Sequence, residues 1–463
     1  MPNFDEPDHA LNHPLMISVS GVRGIVSAAL TPEIALKFAH AYGTFLRQSR
    51  ATSQPVVVLG RDTRVSGPMF KHAVLSGLIA TGCRVIDLDI VATPTLQLAV
   101  PYHQADGAVC LTASHNPIEW NALKFFRPNG MYLDAELGRE LLNLYATEQF
   151  ACNRWDALGT VEVDAEAAQR HLAKILESVD VALIRARRFK VALDCCCGAG
   201  ATISVPLLHA LGCELIEVDC ELTGLFPRNP EPVAENLGKL CEVVKQTGAD
   251  LGFAQDADVD RLSIVDDTGV ALGEEFTLML ATEFVLSHRK GHVVTNLSTT
   301  MALDDIARAH GCTVTRTPIG DVNVAEKIRE LGAVIGGEGN GGIINPAIQL
   351  GRDAPAACAL VLQLLAERQQ SLSTLAAALP QYVIVKKSLH ATREQAAPVI
   401  AQLKATVTDA AVDQRDGLKL LWSDRWVHLR SSGTEPIVRV IAEAKTRDGA
   451  EALCEAYLAK LRT

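Results

Sequence analysis

One arrangement recurs three times along the chain: a β-rich run, a turn, an amphipathic helix, a Gly-Cys pair and a second β-rich run. The copies run from PVVVLG to GLIATGCRVIDLD, from FKVALD to LLHALGCELIEVD, and from GHVVTNL to IARAHGCTVTRTP. In each, Gly82, Gly212 or Gly311 stands where a helix closes on a left-handed residue, and β-branched residues follow. These are βαβ units, and their repetition implies largely parallel sheets covered by helices. Copies this far apart point to separate domains instead of a solenoid. A chain of 463 residues is too long for one hydrophobic core and divides into roughly three or four compact units.

The expected fold class is therefore α/β: three domains of βαβ repeats with mixed, largely parallel sheets, and a smaller C-terminal α+β domain. In that last domain KLLWSDRWVHLRSS and IVRVIAEA read as neighbouring strands before the helical DGAEALCEAYLAKLR. The expected boundaries give four domains, at 1–155, 156–254, 255–375 and 376–463.

A formal net charge of -11 argues against a broad nucleic-acid surface, which needs clustered Lys and Arg. The basic run from Arg185 to Lys190 is short and reads as solvated. No apolar run approaches the ~20 residues that span a bilayer, and MPNFDEPDHALNHP lacks the basic and then apolar order of a secretory signal. The twelve cysteines form no paired C-x-x-C elements, and most read as reduced, buried small residues. The expected setting is the cytoplasm, with no membrane and no nucleic-acid partner.

Four motifs carry chemistry. LTASHNPIEWNALKFF sets Ser114, His115 and Lys124 around a proline-broken loop after the strand-like GAVC, without the G-x-S-x-G elbow of a serine hydrolase. QDADVDRL alternates Asp256, Asp258 and Asp260, carboxylates that repel unless solvated or joined by a hard cation such as Mg²⁺ or Ca²⁺. An EF-hand is excluded, because its sixth position is Arg261 and its twelfth is Asp267. GGEGNGG places Glu338 and Asn340 between glycines, where donors and acceptors for sugar hydroxyls can approach closely. RSSGTEP offers Arg430, the hydroxyls of Ser431, Ser432 and Thr434, and amides around Gly433 to a phosphate dianion. CCCGAGA lacks the third glycine of a dinucleotide fingerprint, so Gly198 and Gly200 read as packing glycines.

In this order, and from SGVRGIV at 20–26 to RSSGTEP at 430–436, the chain resembles the α-D-phosphohexomutase family along nearly its whole length. The resemblance implies four domains around a central cleft, each giving one loop. It makes Ser114 a phosphoserine that joins Asp256, Asp258 and Asp260 around Mg²⁺, and it places Arg23, His115, Lys124 and Arg261 among the catalytic residues. Lys124 is the candidate general acid or base and His115 orients the transferring group. Glu338 and Asn340, with Gly320 and Asp321 of TPIGDVNV, match the sugar-binding loops; Arg430, Ser431, Ser432, Gly433, Thr434 and Arg439 match the phosphate clamp.

The expected substrate is a small hexose phosphate, with a hexose 1,6-bisphosphate as activator. The metal loop reads DADVD where the family more often has a glycine and an alanine, and Asn340 replaces a common serine. That sugar loop is most similar to the glucosamine branch of the family, which implies conversion of glucosamine 6-phosphate to glucosamine 1-phosphate. A mannose or glucose phosphate is the alternative. From other classes, a metal-dependent sugar phosphatase would need no second phosphate clamp, and a sugar-phosphate sensor would need neither Ser114 nor the aspartates.

Overall fold

The computed structural model describes residues 15–18, 21–431 and 437–462. Residues 1–14, Ser20 of SGVRG, and Ser432, Gly433 and Thr434 of the phosphate motif lie outside the described residues. The chain forms two compact units, Met1–Glu274 with Gly342–Leu372, and Glu275–Gly341 with Ser373–Thr463.

The first unit contains two sheets. Seven strands make the larger one: β1 (Met16–Ser18), β2 (Gly21–Ile25), β3 (Val56–Arg61), β4 (Arg84–Ile90), β5 (Gly107–Leu111), β6 (Trp120–Phe126) and β7 (Thr160–Val163). Their order is β1-β2-β6-β5-β3-β4-β7. The first repeat is the parallel pair β3 and β4 with the helix Gly67–Ala80 between them. β5 is parallel to β3 but antiparallel to β6, so the chain reverses between β5 and β6. Every residue of β5 is buried, as expected of a central strand covered on both faces.

The second sheet has β8 (Lys190–Asp194), β9 (Glu214–Val218), β10 (Leu251–Gln255) and β11 (Leu262–Val265), in the order β11-β10-β8-β9. The second repeat is its parallel pair β8 and β9. The boundary expected at 254/255 is corrected here, because it falls inside β10, which pairs antiparallel with β11 from Gly252↔Val265 to Gln255↔Leu262. The carboxylate motif is thus the turn of a hairpin within one sheet and opens no new domain. Asp256 Oδ1 accepts the N–H groups of Asp260 and Arg261 at 3.1 and 3.2 Å, and Val259 takes a left-handed φ of 68°, which together reverse the chain without a glycine.

In the second unit β12 (His292–Asn296), β13 (Thr313–Thr317) and β14 (Ile335–Glu338) are parallel, with β12 between the other two. β12 and β13 are the third repeat. The chain then returns to the first unit through β15 (Gly342–Ile344) and the helix Ala354–Arg368. The C-terminal part is an antiparallel sheet of β16 (Val383–His390), β17 (Ala411–Asp413), β18 (Leu418–Leu421), β19 (Trp426–Ser431) and β20 (Ile437–Ala444), in the order β16-β20-β19-β18-β17, followed by the helix Arg447–Leu461. The α+β reading of this region holds. In all three repeats the helix-closing glycine is left-handed, with φ of 84° at Gly82, 73° at Gly212 and 69° at Gly311.

All twelve cysteines are free thiols and nine of them are buried. Burial pushes the thiols of Cys110 and Cys196 up to about 12, which keeps them protonated and unreactive. Among the described residues no helix is long and apolar enough to cross a membrane.

Candidate active site

Ser114 sits three residues beyond the end of the fully buried β5, in the loop that turns into β6. Its Oγ donates to Asp256 Oδ2 at 2.6 Å, which brings Ser114 and the carboxylate triad together from positions 142 residues apart. His115 Nδ1 lies 3.4 Å from the same Oγ. Lys124, on β6, donates from Nζ to Asp258 Oδ2 at 2.7 Å. Arg23, on β2, reaches Asn116 Oδ1 at 3.4 Å, and Arg261 pairs with Glu231 at 3.2 Å. All five expected catalytic residues belong to the first unit.

Two further residues complete the triad's surroundings and were not anticipated from the sequence. Thr93 donates Oγ1 to Asp258 Oδ2 at 2.8 Å and its N–H to the Asp258 carbonyl at 2.9 Å. Arg352 donates to Asp260 Oδ2 at 2.5 Å. Its neighbour Asp353 caps the helix Ala354–Arg368 and accepts from the buried His171 at 2.8 Å, and His171 in turn meets Thr95 at 2.9 Å. The glycines of CCCGAGA back the triad from behind: Ala199 donates its N–H to the Ala257 carbonyl at 2.9 Å, and a Cβ at Gly198 would lie 2.8 Å from Ala257 Cα. They are packing glycines, and what they pack against is the carboxylate loop.

The electrostatics follow from burial. Asp256, Asp258 and Asp260 are all within 1% of complete burial. Burial, then Asp260 and Asp258, push the Asp256 carboxyl well above its ordinary range. Burial would raise Asp258 too, but the Lys124 ammonium and the Thr93 hydroxyl outweigh it and hold that carboxyl below its ordinary value. Burial opposes the charge on Lys124, yet Asp258 prevails and keeps it cationic. Burial, with Arg261, Arg352 and Arg23 nearby, drives His115 well below its ordinary value, so the imidazole is neutral.

One ligand oxygen from each of the three aspartates lies within 4.8 Å of the others. Asp258 Oδ1 and Asp260 Oδ1 are buried without a hydrogen-bond partner among the described residues. Buried, convergent and unsatisfied carboxylate oxygens are the donor set of a hard divalent cation, so these residues fit Mg²⁺.

The second unit gathers the expected sugar-binding residues. Glu338 ends β14 and is 4% exposed. It accepts from Asn296 at 2.8 Å, from the Gly320 N–H at 3.1 Å and from Asn340 at 3.3 Å. Gly320 adopts φ 123°, and Asp321 opens the helix Asp321–Leu331 by accepting the Val322 N–H at 2.8 Å. Asn323, which has no expected role, closes that turn onto the Ile319 carbonyl at 3.0 Å. Arg430 on β19 stands opposite Arg439 on β20, and its Nε donates to Asp416 at 2.9 Å. The other Asp416 oxygen accepts the Ile319 N–H at 3.0 Å, so one carboxylate links Arg430 to the turn that holds Glu338. Ser431 is half-buried at the end of β19, where the described strand stops.

Comparison with known proteins agrees with this architecture. Four family profiles match in succession: phosphoglucomutase/phosphomannomutase alpha/beta/alpha domain I at residues 16–151, domain II at 169–269, domain III at 273–383 and the C-terminal domain at 387–460. A phosphoglucomutase/phosphomannomutase of Thermococcus kodakarensis is 41% identical over 94% of this chain and 96% of its own. A protein of Methanopyrus kandleri described as a probable phosphoglucosamine mutase is 37% identical over 95% of this chain and 96% of its own. The crystal structure of a phosphoglucomutase/phosphomannomutase family protein from Burkholderia thailandensis superposes with a TM-score of 0.84 at 28% identity, covering 96% of this chain and 98% of that one. The chain belongs to the phosphoglucomutase/phosphomannomutase family. It is an α-D-phosphohexomutase, an isomerase of sugar phosphates.

Proposed function

We propose that this enzyme interconverts glucosamine 6-phosphate and glucosamine 1-phosphate through a phosphorylated Ser114. The observation that carries the reading is the Ser114 Oγ at 2.6 Å from Asp256, inside a buried triad whose second member is held by Lys124. In the first half-reaction the Oγ–P bond of phosphoserine breaks as the bond from the sugar hydroxyl oxygen to phosphorus forms, and the hydroxyl proton passes to a neighbouring base. The second returns the other phosphate of the bisphosphate to Ser114: the other sugar O–P bond breaks as Oγ–P re-forms, and the sugar oxygen takes a proton back. A hexose 1,6-bisphosphate phosphorylates the resting serine.

Each residue has a role that fits its protonation state. Neutral His115, 3.4 Å from Ser114 Oγ, can accept a proton, and cationic Lys124 can give one. Arg23 and Arg261 supply positive charge beside the transferring group. Asp256, Asp258 and Asp260, with an oxygen of phosphorylated Ser114, would hold Mg²⁺. The bound cation would offset the negative charge on the phosphoryl group. Glu338 and Asn340, positioned by Gly320 and Asp321, would read the sugar, and Arg430, Ser431 and Arg439, with Ser432, Gly433 and Thr434, would hold the phosphate that is not reacting.

The glucosamine assignment is supported by the relatives described as phosphoglucosamine mutases, at 37% identity. A second reading, phosphoglucomutase or phosphomannomutase, is favoured by the 41% identical Thermococcus relative. ³¹P NMR with Mg²⁺, a trace of hexose 1,6-bisphosphate and glucosamine, mannose or glucose 6-phosphate in separate tubes decides between them. The fastest growth of a 1-phosphate signal is expected with the glucosamine ester. A faster mannose or glucose reaction supports the second reading, and release of free phosphate alone refutes both. Ser114→Ala is expected to abolish turnover in every tube.

A further inference from the structure

Arg64 lies 50 residues before the nucleophile and its side chain is 0% exposed. A fully buried guanidinium needs partners for all of its donors, and this one has them. Nη2 donates to the carbonyls of Ser114 at 2.8 Å and Asn116 at 2.7 Å. Nη1 donates to the carbonyls of Pro117 at 2.6 Å and Trp120 at 3.0 Å. Nε donates to Asp62 Oδ2 at 3.0 Å. Every N–H of the fork is used, and four of the five point at main-chain oxygens of one loop, the loop that carries Ser114.

The Asp62 carboxylate extends the same arrangement to the other side of Ser114. Its Oδ2 also accepts the Thr112 hydroxyl at 2.7 Å, and the Thr112 oxygen accepts the Ser114 N–H at 2.9 Å. Both peptide groups of Ser114 are therefore held, the carbonyl by Arg64 and the N–H by Thr112. Between them Ser114 adopts φ 51°, a left-handed conformation that a serine keeps only where its surroundings impose it. The Phe226 ring, 4.9 Å from the guanidinium carbon, closes the pocket.

We infer that Arg64 is a positioning residue for phosphoryl transfer, whose guanidinium fork, braced by Asp62 and Thr112, fixes the backbone from which Ser114 presents its Oγ. This inference rests on the reading of Ser114 as the phosphoserine. A cation that only neutralised Asp62 would need one bond to it, and lysine would serve as well. A fork that shapes a loop cannot be replaced by a point charge with three donors.

The test compares Arg64→Lys, Arg64→Met and Ser114→Ala in the full chain. The readouts are the single-turnover rate of phosphoryl transfer from glucose 1,6-bisphosphate to the enzyme, followed by intact mass, the KM for the hexose 6-phosphate, and the affinity of the triad for Mn²⁺. In Arg64→Lys the transfer rate is expected to fall about 100-fold, equivalent to about 2.7 kcal/mol. The KM and the Mn²⁺ affinity should stay within threefold, because other contacts hold the triad. Arg64→Met should match it.

A lysine variant whose transfer rate is within threefold of wild type overturns the inference, as does a loss of KM and Mn²⁺ affinity in step with the rate. If Arg64→Lys does not fold, Thr112→Val carries the test: about a tenfold slower transfer at unchanged KM supports the inference, and an unchanged rate overturns it. Failure of the parent reading looks different, because wild-type enzyme would then gain no phosphate at Ser114, or Ser114→Ala would turn over.

Discussion

Replacing Gly198 with alanine tests whether the carboxylate loop is held in place by backbone contact. The added Cβ would lie 2.8 Å from both Ala257 Cα and the Ala257 carbonyl oxygen, and 3.0 Å from the Cys195 carbonyl oxygen. All three neighbours are main chain, so no side chain can swing away. Gly198 has φ -91°, which any residue adopts, so the whole effect is steric. Restoring an ordinary contact of 3.4 Å moves Ala257 by about 0.6 Å. The Ala199 N–H bond to the Ala257 carbonyl, now 2.9 Å, would stretch toward the limit of a hydrogen bond.

Ala257 stands between Asp256 and Asp258, and working constellations tolerate about 0.5 Å of misplacement. A displacement of that size should weaken Mn²⁺ binding and slow kcat by roughly tenfold each, about 1.4 kcal/mol. Overpacking should cost about 1–3 kcal/mol of stability. Mn²⁺ titration by electron paramagnetic resonance, a coupled mutase assay and thermal melting measure the three effects. Gly238→Ala is the control, since nothing lies within 4 Å of its added Cβ. A Gly198→Ala enzyme with wild-type Mn²⁺ affinity and kcat would refute the argument that this contact holds the triad.

Three other outcomes are expected. Thr93→Val removes the threonine hydroxyl bond to buried Asp258 and should cost about 1.5–3 kcal/mol in urea denaturation. Because Lys124 still holds that carboxyl ionised, Mn²⁺ affinity near neutral pH should change less than threefold. In the second unit, buried His428 accepts from Ser298 at Nδ1 and donates from Nε2 to the Asp416 carbonyl. Burial depresses its pKa below the usual 6.5, so its stabilisation is present above that pH and lost as pH falls through the lower folded value. Wild-type melting temperature should therefore drop more steeply than that of His428→Gln between pH 7 and 5, and equal slopes would contradict the assignment. Finally, adding Mg²⁺ to about 100 times its Kd should stabilise the protein against urea by about 2.7 kcal/mol. Chelation should reverse the gain and Asp256→Asn should largely abolish it, whereas an undiminished gain in that variant would place the ion elsewhere.

What was legible in the sequence was what local rules fix. The left-handed glycines at 82, 212 and 311 close their helices whatever surrounds them, so the three βαβ repeats could be read directly. The alternating aspartates could be read as a cation site because their mutual repulsion is local too. The place of that motif in the fold could not, because an acidic run after an apolar strand looks like the start of something new. Only the pairing of β10 with β11 shows a hairpin turn.

The polar residues that support the site were hidden for a different reason. Thr93, Arg352 and Arg64 act on groups 165, 92 and 50 residues away, and in sequence each passes for a helix-start threonine or a surface arginine. Charged side chains are seldom buried without partners, so complete burial of an arginine implies that its donors are all engaged. Four donors placed on one loop, with the fifth on Asp62, constrain the backbone of that loop far more tightly than a composition of Ser, His, Asn and Pro could do by itself. The residue type at position 114 is therefore legible in the sequence, while the backbone geometry of Ser114 is set largely by residues 62, 64 and 112.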